Sequence, residues 1–191
     1  MGLFDKLKKQ AVSAVSNAVK EGVQNLGNKT VPIEISSIPS SLTEFTAMPQ
    51  AGMSTPFETA AMTVAALCVY PYNKDESIKM LNHLRGPRPL SNHEISFLAD
   101  RFRDSNYVPR SYFNGATPDN DYEPQAPYTI TVSENPYSYE NQGYAKLFIR
   151  SGGADNPREV LLRQAKDGKW YLWDQFLLVG IRDPKSADPW A

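Results

Sequence analysis

Three acidic residues alternate along one short stretch of the chain, at Asp119, Asp121 and Glu123. Alternating carboxylates are typical of the start of a calcium-binding loop, because Ca²⁺ prefers hard oxygen ligands. An EF-hand loop, however, requires glycine where Pro124 stands and glutamate where Ile130 stands. The pattern therefore predicts a solvated acidic loop, and we expect neither a metal ion nor a cofactor.

Few residues could act as a nucleophile or carry protons. Cys68 is the only cysteine, and its apolar neighbours at 65–69 predict a small buried side chain. His83 and His93 fall on different predicted helices, so nothing in the sequence requires them to meet. Ser151-Gly152-Gly153 opens no predicted helix and lacks the lysine of a phosphate-binding loop, which favours a turn between strands. We therefore assign no catalytic residue.

Aromatic residues concentrate between residues 107 and 144, which hold seven of the ten tyrosines together with five prolines. Tyrosine offers a flat apolar face and a hydroxyl at modest entropic cost, which suits the binding of peptides or sugars. The alternative is that these rings cover one face of a sheet and that the prolines stiffen the cover. Under the binding hypothesis, the residues that line a ligand groove are Tyr112, Phe113, Asp119, Asp121 and Tyr122.

The apolar spacing near the start of the chain predicts an amphipathic helix over residues 3–26. Its apolar face carries Leu3, Phe4, Leu7, Val15 and Leu26. Such a stripe suits a protein partner, self-association, packing on its own domain, or a membrane surface. Alanine and valine at its centre bury little area per residue, which weakens a lipid anchor. We favour a protein contact and keep the other three open.

Capping residues and apolar spacing predict the elements that position these side chains. Three helices are expected, each after a polar residue that can cap its first turn, namely Thr55, Asn73 and Ser91. About four strands follow, at residues 128–134, 144–150, 158–166 and 169–178. Helices first and strands last predict an α+β fold with an antiparallel sheet.

These elements divide the chain into three parts. Residues 1–28 form the N-terminal helix, residues 29–54 a linker with a short strand, and residues 55–191 a single α+β domain. Within that domain, Asp167-Gly168 predicts a two-residue hairpin turn. Such a turn pairs Ala165 with Trp170 and Leu162 with Trp173.

Composition limits the functional class. The chain has 191 residues, 41% of them hydrophobic and 21% charged, which predicts one globular domain with a core. Twenty basic against 21 acidic residues provide no general basic field, so we expect no nucleic-acid partner. One cysteine excludes an internal disulfide and a cysteine-built zinc site. With no signal-peptide pattern and no apolar run of membrane length, we expect a cytoplasmic protein.

Four strings in the second half of the chain are distinctive: residues 111–124, 151–158, 169–173 and 180–190. Together they resemble an uncharacterised bacterial family, a domain of unknown function, over about residues 55–191. The resemblance implies a stand-alone bacterial domain, and no activity comes with it.

The leading interpretation is a cytoplasmic α+β binding or interaction domain, without catalysis, that uses helix 3–26 for protein contact. One alternative is an enzyme with a site between the loop at 107–127 and the sheet, using Asp119 or Asp121 with Arg110. A second alternative is a membrane-peripheral protein anchored by helix 3–26. Carboxylates with raised pKa values in a closed cleft favour the enzyme, and carboxylates on open surface favour binding.

Overall fold

An antiparallel sheet organises the part of the chain that the structure, a computed structural model, describes, which is residues 29–187. Five strands pair in chain order within that part. They are β1 (Thr30–Ile35), β2 (Tyr128–Ser133), β3 (Tyr144–Ile149), β4 (Arg158–Gln164) and β5 (Trp170–Gln175). Four α-helices accompany them, α1 (Leu42–Ala47), α2 (Pro56–Val69), α3 (Lys74–Arg85) and α4 (Asn92–Arg101). The α+β fold class is confirmed, and the helix predicted over 3–26 lies outside the described residues.

Helix α2 is the centre of the core. Thr55 and Glu58 form a capping box at its start, in which each side chain accepts a hydrogen bond from the other's backbone amide. Every residue of α2 except Glu58 is buried, and the helix packs against all five strands. One face of the sheet is therefore covered, and the face away from α2 is called the outer face below.

The other two predicted helices begin at the expected caps. The Asn73 side chain accepts a hydrogen bond from the Glu76 amide at the start of α3. Ser91 and Glu94 form the capping box of α4. The three predicted core helices are thus confirmed, because a polar side chain before an apolar repeat satisfies amides that would otherwise lack a partner.

Residues 29–54 belong to the folded domain and do not form a linker. Strand β1 pairs with β2 along its whole length, so the sheet has five strands where four were predicted. Phe45 of α1 is fully buried, and Met48, Ala51 and Met53 also enter the core. The serine, threonine and proline content that indicated a linker instead supplies short caps and turns between small packed elements.

The hairpin between β4 and β5 has a three-residue turn, so the predicted two-residue turn is wrong. Ala165 donates its amide hydrogen to the Lys169 carbonyl oxygen, and Gly168 adopts a left-handed conformation with φ 82°. Leu162 consequently pairs with Leu172 rather than with Trp173. Next to this pair the register shifts by one residue, and the predicted alignment returns in the part of β4 that is farther from the turn.

Both edges of the sheet are occupied. On β5, the Trp170 carbonyl oxygen accepts a hydrogen bond from Thr59, and the Trp173 carbonyl oxygen accepts from Arg88. On β1, Pro32 carries no amide hydrogen, and the Gln50 side chain donates to the Glu34 carbonyl oxygen. Such edges are protected against pairing with a further strand. Within residues 29–187, none of the helices combines the length and hydrophobicity needed to cross a bilayer.

Candidate functional site

The aromatic residues predicted to line a groove lie inside the domain. Tyr112 is 1% exposed, and its hydroxyl donates to the Leu177 carbonyl oxygen at 2.5 Å. Burial raises the pKa of Tyr112 far above its ordinary value. Phe113 is also buried, forms a β-bridge with Ile130, and meets the Tyr128 ring edge-on. These side chains fix the loop to the sheet, as the covering interpretation expected.

Tyr122 has the same role at the other end of the loop. It is fully buried, stacks on Tyr107 with ring centroids 5.5 Å apart, and donates its hydroxyl to the Arg182 carbonyl oxygen at 2.8 Å. Tyr107 donates to the Asp183 carboxylate at 2.6 Å. Burial, together with that hydrogen bond, raises the pKa of Tyr107 to about 12. The two tyrosines therefore hold the segment around residue 182 against the loop.

The carboxylates of the same loop point to the surface. The Asp119 side chain is 80% exposed and lies 3.4 Å from the Lys185 ammonium, while Asp121 accepts from the Ser186 amide at 3.1 Å. Arg110, which the enzyme alternative paired with them, instead contacts Glu123 at 3.1 Å. The five predicted ligand residues are thus not gathered around one cleft, and ligand binding by them stays a prediction.

The turn at Ser151-Gly152-Gly153 connects β3 to β4, as predicted, and it makes an unusually close contact with the loop. A Cβ atom on Gly152 would lie 1.9 Å from the Ala116 carbonyl oxygen. A Cβ atom on Gly153 would lie 2.0 Å from the Tyr122 hydroxyl oxygen. The Ser151 hydroxyl donates to Ser111 at 2.7 Å in the buried interior. We call this contact between turn and loop the glycine junction.

Beside the glycine junction lies a groove of about 740 Å³, which we call the polar groove. One wall is the loop at 113–117, the other is the turn at 151–155, and the base is the outer face of β1 and β2. Hydroxyl groups line the base, from Thr30, Thr131 and Ser133. Sequence reasoning missed this groove, and the paired glycines that bring its two walls together were the available signal.

Two arginines and one aspartate line the polar groove. The Arg182 guanidinium lies 2.8 Å from the Asp155 carboxylate, and this hydrogen bond lowers the pKa of Asp155. Arg150 is exposed and has no hydrogen-bond or ion-pair partner among residues 29–187. Its five N–H donors are therefore available to a ligand.

Neither the described cysteine nor the two histidines line the polar groove. Cys68 lies elsewhere in the core, and burial raises the pKa of its thiol to about 12, which disfavours the reactive thiolate. The imidazole of His83 lies 3.2 Å from the Ala51 carbonyl oxygen, and neither histidine lines the groove. Hydrogen bonds lower the pKa values of five carboxyl groups, namely Glu44, Glu76, Glu94, Asp155 and Asp167. No three acidic, histidine or cysteine side chains within residues 29–187 are placed to hold a metal ion.

The fold and the groove define an α+β domain in which a helix-backed antiparallel sheet presents a polar groove. The family described as a domain of unknown function, DUF6935, matches residues 37–185, more than three quarters of the chain. The chain belongs to this family, which confirms the resemblance and extends it toward the N-terminus. No curated protein and no solved structure matches the chain.

Proposed function

We propose that this domain is a non-catalytic binding module and that the polar groove holds its ligand. The observation that carries the proposal is Arg150, an exposed guanidinium without a partner among the described residues, in a groove lined with hydroxyl groups. A guanidinium binds a carboxylate through two parallel hydrogen bonds. The Thr131 and Ser133 hydroxyls already donate, to Asn114 and to the Phe148 carbonyl oxygen, so they can accept hydrogen bonds from the remaining polar groups of the ligand. The ligand class is therefore a polar molecule with a carboxylate, from a peptide or an acidic sugar.

The walls of the polar groove support binding without a large rearrangement. The Thr131 hydroxyl donates to the Asn114 side chain at 3.0 Å and ties the loop wall to β2. The glycine junction holds the opposite wall against Ala116. Because both walls are fixed, a ligand loses little affinity to ordering of the site.

The carboxylate on the groove supports binding rather than proton transfer. Asp155 is paired with Arg182, its side chain is 87% exposed, and its pKa is lowered. A general acid that works at neutral pH needs a pKa raised toward that range. An acid with a lowered pKa on open surface supports binding over proton transfer, so this geometry favours a binding module.

A titration with matched probes tests this proposal. Backbone amide signals of the full chain are followed by NMR during addition of glucuronate or glucose, and of acetyl-Asp-amide or acetyl-Asn-amide. We expect the charged probes alone to shift the amides of Asn114, Gly115 and Gly152, with a dissociation constant of about 1 mM. Arg150→Gln should abolish these shifts, while Arg103→Gln, which removes an exposed arginine elsewhere, should retain them. Equal shifts from neutral probes, or charged-probe binding that survives Arg150→Gln, would refute the assignment.

The sequence of segment 1–28 makes it a second contact element in this proposal. It carries four lysines and two acids, a net charge of +2, with the apolar stripe described above. A protein contact is the leading role, and a membrane surface is the alternative. A cytoplasmic location belongs to the same proposal, because a single cysteine suits a reducing compartment. Bacterial origin likewise stays a prediction.

Flotation on vesicles separates the two roles of this segment. The full chain and a form lacking residues 2–28 are mixed with neutral and with anionic liposomes, and both are sized by light scattering. If the full chain floats and the truncated form does not, the segment is a membrane anchor and not a protein contact. A mass that falls on truncation, without flotation, would assign the segment to self-association.

A further inference from the structure

A second groove, of about 300 Å³, lies where the connection between α3 and α4 meets β4 and β5. It shares no lining residue with the polar groove. Its base is the Trp173 ring, and Pro87, Arg88, Arg163 and Lys166 border it. We call it the arginine–aromatic groove.

Two guanidinium groups lie over the Trp173 ring. Their carbon atoms are 4.4 Å from the ring centroid for Arg88 and 4.9 Å for Arg163. Arg163 also lies 5.1 Å from the Tyr144 ring, which meets Trp173 edge-on at 5.6 Å. A guanidinium that rests on an aromatic face is held by the ring quadrupole, and the N–H groups in its plane remain able to bind an anion.

A buried arginine fixes one side of this groove. Arg85 is 4% exposed, and its guanidinium lies 2.7 Å from the Glu94 carboxylate. Its Nε donates to the Arg88 carbonyl oxygen at 3.0 Å, while Arg88 itself donates to the Trp173 carbonyl oxygen at 3.1 Å. The position of Arg88 is therefore set before any ligand arrives.

The acids near the arginine–aromatic groove already have partners. Glu94 is bound by Arg85 at 2.7 Å and also lies 3.6 Å from the Arg88 guanidinium. Asp167 accepts from the Tyr171 hydroxyl at 2.7 Å. The exposed Asp174 accepts from the Gln175 amide at 2.8 Å. Arg163 and Lys166 have no acidic partner among residues 29–187, which leaves an excess of positive charge around an apolar base.

We propose that the arginine–aromatic groove docks an acidic segment of a partner protein. A carboxylate of that segment binds Arg163 and the half-exposed Arg88, whose charge Glu94 shares at 3.6 Å. An apolar side chain of the segment lies on Pro87 and Trp173. Tryptophan, tyrosine and arginine dominate the energetics of protein interfaces, and charge complementarity selects an acidic partner. This site is additional to the proposed polar-groove function.

Three other occupants fit the groove less well. The chain's own segment 1–28 carries excess positive charge and would be repelled. A nucleic acid would need a basic surface that extends beyond one groove, whereas the whole chain has a net charge of −1. Addition of a strand to β5 is opposed because Arg88 and Thr59 occupy carbonyl oxygens of that edge.

Selection from a random heptapeptide library tests the proposal with the full chain as bait. We expect enrichment of sequences that combine aspartate or glutamate with a leucine- or phenylalanine-like residue. Enrichment should disappear with the double variant Arg88→Gln/Arg163→Gln and persist with Arg103→Gln. Because the changed residues are partly exposed, the variants should fold, and their circular dichroism and melting are recorded to verify this.

The selected consensus peptide then supplies a quantitative test. Its affinity, measured by fluorescence anisotropy, should fall at least about tenfold for Arg163→Gln and for the peptide with glutamine in place of glutamate. Added salt should weaken binding, because the contacts are between exposed charges. No enrichment, enrichment of neutral or basic peptides, or acidic peptides that bind the double variant equally well would each overturn the proposal. Binding of a single-stranded oligonucleotide that is lost in the same variants would overturn it in favour of a nucleic-acid site.

Discussion

Replacing Gly152 by alanine tests whether the glycine junction holds the two walls of the polar groove together. The new Cβ would stand 1.9 Å from the Ala116 carbonyl oxygen, and Cβ atoms essentially never approach closer than 3.0 Å. The loop or the turn must therefore retreat by about 1.1 Å, the difference between those distances. The obstacle is backbone, so no change of side-chain rotamer can relieve it.

We expect Gly152→Ala to lower the free energy of unfolding by about 3 kcal/mol, because overpacking a rigid site typically costs this order of energy. For a domain of this size that corresponds to a fall in melting temperature of about 6–12 °C. Urea unfolding followed by circular dichroism measures the first quantity, and a thermal scan measures the second. The same variant should also lose the ligand-induced shifts expected for the polar groove.

A matched control separates the steric contact from loss of glycine itself. Gly115 lies in the neighbouring loop at φ 81°, and a Cβ atom there would meet nothing within 4 Å. Gly115→Ala should therefore cost only the backbone strain, about 1 kcal/mol. A Gly152→Ala protein as stable as the parent, to within about 0.5 kcal/mol, would refute the reasoning, as would equal losses from the two variants.

Three further predictions concern buried or half-buried polar groups. Burial raises the pKa of Glu94, but hydrogen bonds from Ser91 and the charge of Arg85 lower it more, so the net pKa is below its ordinary value of 4.5. The ionised Glu94 therefore stabilises the fold above pH 4.5. This stabilisation is lost as the pH falls through the folded-state pKa. Urea midpoints should accordingly fall less steeply with acid in Glu94→Gln, and an unchanged slope would contradict this. Tyr122→Phe leaves the Arg182 carbonyl oxygen without its donor and should cost about 1 kcal/mol in urea unfolding, whereas a more stable variant would contradict the assigned hydrogen bond. Cys68 should react with a thiol reagent at mildly alkaline pH only as fast as the protein opens, because burial raises its pKa to about 12; rapid labelling of the native protein would show the thiol to be accessible.

Helix starts were predictable because their signals are local. Thr55, Asn73 and Ser91 each cap a helix through side-chain oxygens that bond amides within three residues. No distant contact is needed for that chemistry to operate. The same local rule suffices to end α2 near Pro71, since proline cannot continue a helix.

Elements that depend on distant partners were harder to predict. Residues Leu42–Ala47 form one short helix whose only buried side chain is Phe45, and a segment of six residues carries too little periodicity to stand out. Strand β1 gains its hydrogen bonds from β2, nearly one hundred positions along the chain. The candidate ligand residues failed to gather for a similar reason: Tyr112 and Tyr122 each bond a carbonyl oxygen in the segment after β5, which draws the rings inward.

The three-residue turn between β4 and β5, which the sequence analysis did not predict, determines which side chain forms the base of the arginine–aromatic groove. With the predicted two-residue turn, Trp173 would lie opposite Leu162, a fully buried core residue. The three-residue turn places Leu172 there instead, and a shift of one position moves a side chain to the other face of a sheet. Trp173 therefore lies on the outer face with Arg163, its guanidinium partner. The apolar base of the arginine–aromatic groove thus exists because Gly168 accommodates the left-handed turn, which makes a glycine outside the groove a determinant of its composition.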